Sequence, residues 1–580
     1  MKRIISLFAA TFLLTACPGG DDGGSAAPMC PEPETIPSNI TTLVEIGVEC
    51  RNVEAPNGVS VRNGGTLKIA PGTTVSFASG AGLQIDEGGI IEAIGSADAP
   101  ITLKGREDVP GFWKGLILYR AASTQNQLAH VIIESAGSSP ATYASVTGAI
   151  TVQSASRLRV TDSVLRKNKG YGIVLDGSEL TTFSNNTLSD NTLGAAYTSV
   201  DSVGQLPPEN NYVGNAVDVV RIAGGSLTTP IVLHDLGVPY LAGSIDVRAN
   251  GRLTIEPGVE IHFEAGKQLY VEGGVLEARG TASRPIILAG AETVPGFWKG
   301  VGLYKAPSTE NILDYVHITD AGSSPFTYAS HGSSIYISDA LDLLTIRNTT
   351  VDRGKGFGLL VRSRARLPGF ENNVLTGHEL GAASLYAESA EGLDQGSSFT
   401  GNAVGKDFVL IRGGELAQSS TWRALNVPYR VEGTVSVTAG GHLTIGAGVE
   451  VQFAGSSALE ITSTTSKLSI LGTEDARVRL TRTSDSAFWK GVRLYQSTND
   501  NRIEYTDISY GGASPFTYFS AGQGANLAVH NAWVTFQSVL LQNGNNYGLA
   551  VNSGNQLTHC DELNYSDNAS GETVGTLNCN

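Results

Sequence analysis

Six residues, written three times, constrain this chain more than any property of its composition. Pro110-Gly111-Phe112-Trp113-Lys114-Gly115 returns as Pro295-Gly296-Phe297-Trp298-Lys299-Gly300 and again as Ser486-Ala487-Phe488-Trp489-Lys490-Gly491. The intervals are 185 and then 191 residues, counted between Phe112, Phe297 and Phe488, and the surroundings travel with the motif. Upstream, residues 66–77 (TLKIAPGTTVSF) match 253–263 (LTIEPGVEIHF) and 443–453 (LTIGAGVEVQF). Downstream, 136–145 (AGSSPATYAS) match 321–330 (AGSSPFTYAS) and 511–520 (GGASPFTYFS). Farther on, GYGIVLDG from Gly170 matches GFGLLVRS from Gly356 and NYGLAVNS from Asn546. The body is therefore an internal triplication, from about residue 61 to about residue 553, rather than three unrelated domains.

Within a unit the apolar runs are very short: 66–69, 74–77, 83–85, 90–93 and 101–104, separated by Gly, Asn, Ser or Ala-Pro turns. Such runs are too short for a large antiparallel sandwich. They suit a solenoid, in which each coil adds one rung to each of several parallel sheets and is stabilised by its neighbours. The chain has a hydrophobic fraction of 41% with 16% charged residues, and it lacks long helix-forming stretches; it is read as all-β. At roughly 20 to 25 residues per coil, a unit of about 185 residues makes about eight coils, and three units a rod on the order of 110 Å long.

These features resemble the right-handed parallel β-helix family. The resemblance is carried by glycine-bounded turns, by the strand starts 113–116, 298–301 and 489–492, and by Phe-x-x-Asn coils at Phe183 to Asn186, Phe370 to Asn373 and Phe399 to Asn402. It implies that Asn186 and Asn373 sit in tight turns and bond to stacked asparagines. Family members include polysaccharide lyases and hydrolases, adhesins and passenger domains, so the fold leaves function open.

The first residues combine Met1-Lys2-Arg3, an apolar run from Ile4 to Leu14, and Leu14-Thr15-Ala16-Cys17. The run is too short for a permanent membrane helix and has the shape of an export signal. Its ending resembles the bacterial lipobox, which implies acylation of Cys17 at the mature N-terminus; Pro18 is not the aspartate associated with inner-membrane retention. The Gly-rich stretch 18–28 then reads as a tether. The organisation expected is a lipoprotein signal at 1–16, a lipidated tether and N-terminal cap at 17–55, β-helix units at 56–240, 241–430 and 431–555, and a C-terminal cap at 556–580. The four remaining cysteines fall two near each end. Of the pairings open to them, Cys30 with Cys50 and Cys560 with Cys579 needs the fewest assumptions. No C-x-x-C occurs, and His559 beside Cys560 lacks further ligands, so no metal site is read here.

A formal net charge of −16 disfavours nucleic acid and anionic lipid as partners. The common nucleotide, serine-hydrolase and zinc-protease motifs do not occur, and nothing demands a cofactor. The triplication offers its own test, since a copied active site would keep its catalytic groups. Glu134 becomes Thr319 and Ser509; Asp162 becomes Asn348 and Ser538; Arg166 becomes Asp352 and Gln542. What persists is scaffold, together with Lys114, Lys299 and Lys490 and the tyrosines Tyr143, Tyr328 and Tyr518. The lysines read first as outward residues beside an inward tryptophan. Alternatively, with the tyrosines as stacking surfaces, they form a repeated subsite for acidic sugars. The function expected is a non-enzymatic cell-surface lipoprotein of the bacterial envelope, held to a membrane by its lipid and presenting a rigid scaffold to a polysaccharide or surface protein. The alternative is a polysaccharide lyase or glycoside hydrolase. In cells, Cys17→Ser should abolish fatty-acid labelling and move the protein from the membrane to the soluble fraction; an unmodified mature N-terminus in the wild type, seen by mass spectrometry, would contradict the anchor.

Overall fold

The computed structural model describes residue 30 and residues 32–579, except 364, 485–486 and 521. The signal and tether, with Cys17, lie outside the described residues, as does Ser486 of the third motif. Among the described residues all regular structure is β except three short 3₁₀ turns, Val203–Gln205, Ala387–Gly392 and Cys560–Glu562. Strands form where the short apolar runs predict them, at Thr66–Ile69, Thr74–Phe77, Gly82–Ile85, Ile90–Ile94 and Ile101–Gly105. In the first three of these every second residue is buried: Leu67 and Ile69, Val75 and Phe77, Leu83 and Ile85. Corners are tight. A Cβ on Gly89 would lie 2.1 Å from the Val61 carbonyl oxygen one coil below, so only glycine lets the backbones approach this closely.

Three strands make a coil, and coils stack in parallel. Thr74–Phe77 pairs with Asn52–Ala55 below and Ile101–Gly105 above. Gly82–Ile85 lies between Val59–Val61 and Gly115–Tyr119, and Ile90–Ile94 between Thr66–Ile69 and Gln127–Ala129. The chain is a right-handed parallel β-helix solenoid. Inside, apolar residues stand on apolar residues: Leu83, Leu116, Ile150, Ile173, Ala196 and Val220 form one column in register. With roughly twenty rungs at about 4.8 Å, the body is on the order of 100 Å long.

The three units do not restack face upon face. Thr74–Phe77 belongs to a seven-stranded sheet, but its counterpart Glu260–Phe263 belongs to the fourteen-stranded sheet, above Tyr240–Ala242 and Val220–Ile222, on the face that carries Gly115–Tyr119 in the first unit. Gly300–Tyr304, the counterpart of Gly115–Tyr119, then opens on the next face. The same step recurs: Glu450–Phe453 stands over residues 429–431, which stand over 409–411 and these over Gly381–Tyr386. The turns Val203–Gln205 and Ala387–Gly392 mark the two junctions. Equivalent features of successive units therefore sit on different faces of the rod.

Sequence alone leaves open which aromatic of the Phe-Trp-Lys-Gly motif is internal. Trp113, Trp298 and Trp489 are fully buried. Each indole lies flat on the phenylalanine that ends the strand one coil below, with Phe77, Phe263 and Phe453 at centroid distances of 4.1, 4.4 and 4.0 Å. Each indole N–H donates to a backbone carbonyl of the coil above, at Glu134, Thr319 and Ser509 (2.8, 2.7 and 2.7 Å), which satisfies the one polar atom that burial would otherwise strand.

Polar ladders close the corners. Asn186 is buried and donates to Asn210 Oδ1 at 3.0 Å, as expected of a stacked asparagine. Asn373 occupies the same corner, but the group above it is Ser397, whose hydroxyl accepts the Asn373 N–H at 2.8 Å. At another corner Asn168, Asn191 and Asn215 bond in series, at 2.9 and 3.0 Å. In the second unit their places are taken by Gly354, His378 and Asn402. His378 Nε2 reaches the Val351 carbonyl at 3.0 Å, where Asn191 Nδ2 reaches that of Leu165. The imidazole fits because its neighbour is glycine: a Cβ on Gly354 would lie 2.5 Å from His378 Nδ1.

The disulfides join Cys30 to Cys50 and Cys560 to Cys579, with Cα separations of 5.7 and 6.1 Å. The local pairing therefore holds, and the two bridges lie in the first and last coils of the described residues, at the open ends of the sheets there.

Two predictions follow from the packing. Trp298→Ala should cost about 3 to 5 kcal/mol, and because coupling is between neighbouring coils, limited proteolysis should cut first between about residues 253 and 373. The second concerns acid. Burial drives the His378 pKa from 6.5 down to about 4. Above pH 6.5 the ring is neutral in both states and the fold keeps its full stability; between pH 6.5 and about 4 the unfolded chain takes up a proton that the folded chain refuses. Stability should fall across that window by about 3 kcal/mol. His378→Asn, which restores the first unit's residue, should remove this increment, read as the difference between the two proteins in amide-exchange protection of residues 350–403 at pH 4.5 and pH 7.

Candidate functional site

Each unit projects one long loop, residues 134–147, 320–332 and 510–524, between strands such as Val316–Thr319 and Ser333–Ile337. The loop is tied to the motif tryptophan. Ser138, Ser323 and Ala513 donate their N–H to the carbonyls of Trp113, Trp298 and Trp489 at 3.0, 3.0 and 2.9 Å. It then folds over the outside of its sheet. Phe326 packs with Tyr336, Phe357, Leu360, Phe408 and Leu410, forming a second, external core, and Phe516 does the same among Ala458, Ala525, Ala528 and Ala550.

The tip is a β-turn closed by N–H bonds from Ala144 to Ala141, from Ala329 to Phe326 and from Phe519 to Phe516, each 3.0 Å. The third residue of this turn needs a positive φ, which favours glycine. Here it is Tyr143, Tyr328 and Tyr518, with φ of 69°, 69° and 74°. An L-residue in this region costs about 1 to 2 kcal/mol, and the chain bears that cost at each of the three loop tips. The rings are exposed (76, 59 and 56%), and each rests on a second tyrosine at the end of the strand below: Tyr119 at 5.5 Å, Tyr304 at 5.8 Å and Tyr495 at 4.9 Å. Tyr119, Tyr304 and Tyr495 escape the sequence reading, although each lies six residues after its motif tryptophan, a spacing the triplication displays.

The lysines do not join these tyrosines. Lys114, Lys299 and Lys490 are half-buried and immediately precede the strand that Tyr119, Tyr304 or Tyr495 ends. Five residues of strand put lysine and tyrosine about 16 Å apart. Lys299 lies under the loop, its ammonium 4.9 Å from the Phe326 ring, and burial lowers its pKa while Asp246 partly offsets this. Because the units step from face to face, the three lysines precede strands on three different faces.

The carboxylates weighed in the sequence have structural places. Glu134 pairs with Arg166 on the adjacent rung at 3.0 Å. Asp162, Asn348 and Ser538 all occupy a left-handed corner, with φ of 53°, 50° and 47°, which accounts for their exchange. Among the described residues no group of three or more His, Cys, Asp and Glu side chains gathers to hold a metal ion.

Surroundings of the tyrosine pairs differ. In the first unit Tyr143, Ser145, Gln153, Asp176 and Tyr197 line a small hollow of about 130 Å³. In the second, Lys305 lies over Tyr304 at 5.0 Å and Arg362 over Tyr328 at 5.4 Å. In the third, His530 stacks on both tyrosines, at 5.0 Å from Tyr518 and 5.4 Å from Tyr495. A larger hollow, of about 670 Å³, lies at the second junction and is lined in part by Leu343, Pro368, Glu388, Glu391 and Arg423.

No family model matches the chain. It is similar to Protein bark beetle of Drosophila melanogaster, 34% identical over an alignment of 117 positions that covers 17% of this chain and 4% of that protein. The chain thus spans a small part of that relative's length.

Proposed function

We propose that this protein is a non-enzymatic cell-surface lipoprotein: a rigid β-helical rod, held to a bacterial envelope membrane by an acylated Cys17, that presents tyrosine-tipped loops to an envelope or matrix polymer or a surface protein. The observation that carries this reading is the recurrence of one costly geometry, an exposed tyrosine at positive φ packed against a second tyrosine, in all three units, stacked in the first and third and tilted by 42° in the second. A purely structural turn would be served better by glycine. Flat, rigid, half-exposed phenol rings suit contact with sugar faces or apolar protein surface. The carboxylates, by contrast, do not recur.

A variant carrying Tyr143→Gly, Tyr328→Gly and Tyr518→Gly tests the reading. Relief of backbone strain offsets the lost ring stacking, so stability should change by less than about 1 kcal/mol per site. Retention of the protein on isolated envelopes and on a glycan panel should be lost. Retention equal to wild type would overturn the role of the loops.

A glycan-cleaving enzyme is the second reading, favoured by the hollow at the second junction, where Glu388 and Glu391 both reach the lining; such chemistry needs two carboxylates flanking one bond. Shortening of any glycan in the panel by wild type, abolished in Glu391→Gln, would promote it.

A further inference from the structure

The loops recur, but the charge around them does not. In the second unit the position at the end of successive rungs carries, in register order, Tyr304, Ser338, Arg362, Tyr386 and Arg412; Ser338 is buried beneath the loop, and the other four reach the surface. Glu272 and Glu432 hold the same position on the rungs before and after, and bound the stretch. Five rungs at about 4.8 Å make a row about 19 Å long, with its two arginines two rungs, about 10 Å, apart along the backbone stack. Lys305, over Tyr304, adds a third cation beside it.

These cations have neutral partners. Arg412 donates to Ser384 Oγ at 2.8 Å, to Ser330 Oγ at 2.7 Å and to His331 Nδ1 at 3.2 Å, and Arg362 lies over the Tyr328 ring. Among the described residues none of Lys305, Arg362 and Arg412 pairs with a carboxylate, in a chain whose net charge is −16 and whose other arginines commonly do, as Arg347 does with Asp314 and Arg353 with Asp320. The fold does not require them. The position of Arg362 is Asp176 in the first unit and Asn552 in the third, in register with Gln153 and His530.

The geometry points to a subsite for a linear carboxylated polysaccharide along Tyr304, Arg362, Tyr386 and Arg412. It rests on the reading of the rod as a display scaffold and names the ligand class of its middle unit. The exposed Tyr328 ring over Tyr304, and Tyr386 farther along the row, accept the apolar faces of sugar rings, while guanidinium groups between and beyond them offer forked N–H donors to ring carboxylates. A neutral glycan would leave the cations without a counter-charge. An extended nucleic acid would meet the acidic surface on either side of a row this short.

The test is titration of the full chain with polygalacturonate, beside dextran and a single-stranded DNA of matched charge. Wild type should bind polygalacturonate in a salt-sensitive way and bind dextran and the DNA more weakly. Arg362→Gln with Lys305→Gln, both exposed positions, should weaken polygalacturonate binding about tenfold or more without changing the melting curve, whereas Arg120→Gln in the first unit should have no effect. Undiminished binding by the double variant, no binding by wild type, or equal binding of the DNA would each overturn the subsite. If tyrosine-dependent retention on envelopes persists in that case, the display reading stands; if the triple glycine variant also retains wild-type binding, that reading has failed as well.

Discussion

An inward side chain in this rod cannot change size on its own account. With coils about 4.8 Å apart, each buried residue is packed between the one below and the one above, so a cavity or an overlap is felt at once by both neighbours. The column from Leu83 through Leu116, Ile150 and Ile173 shows the rule in its simplest form. The motif tryptophans show it under load. The chain leaves the strand Ile101–Gly105 for a wide connection before Gly115–Tyr119, and Trp113 fills the interior there by lying on Phe77. A ring of that size, with its N–H already bonded to the coil above, has no easy substitute, which explains why the motif survives three copies.

The same constraint shows in the polar corners. Asn168 and Asn191 in the first unit become Gly354 and His378 in the second, an exchange that keeps the Nε2 bond to the coil below while the lost side chain makes room for the ring. The two exchanges fit each other, because any side chain at 354 would run into the ring at 378. The consequence is a buried imidazole held neutral, and with it an acid sensitivity that the first unit lacks at this corner.

Outward side chains are free of this coupling, and function belongs with them. On the outer faces the units differ most: Asp176, Arg362 and Asn552 share a position and nothing else. Against that background the tyrosines at positive φ stand out, because they persist where the backbone itself favours glycine. The step of one face at each junction adds a second consequence. Three loops built alike open in different directions, so the rod meets its surroundings on several sides, and a straight polymer laid along one face would engage one unit's loop rather than all three.

How much of this was legible in the chain follows from what is local. The strands Thr66–Ile69 and Thr74–Phe77 could be read to the residue, since alternation and glycine corners are properties of a few consecutive residues. The triplication, the all-β class and the local cysteine pairing were also readable along the chain, and the ladder role of Asn186 followed from the resemblance to the parallel β-helix family. Three things were not. Phe112 and Trp113 alternate sides of one backbone, and the glycine that follows resets the facing, so only the packing on Phe77 decides that the indole is inside. A repeat of 185 residues does not say how many faces it winds through, and only the sheet pairing shows that Glu260–Phe263 stands on the face of Gly115–Tyr119. The tyrosine pairs and the row through Arg362 and Arg412 join residues tens of positions apart, because a solenoid sets coil upon coil. Sequence by itself determined the rung; the stacking of rungs, which depends on contacts between coils, decided which residues face inward, which meet, and which way each unit looks.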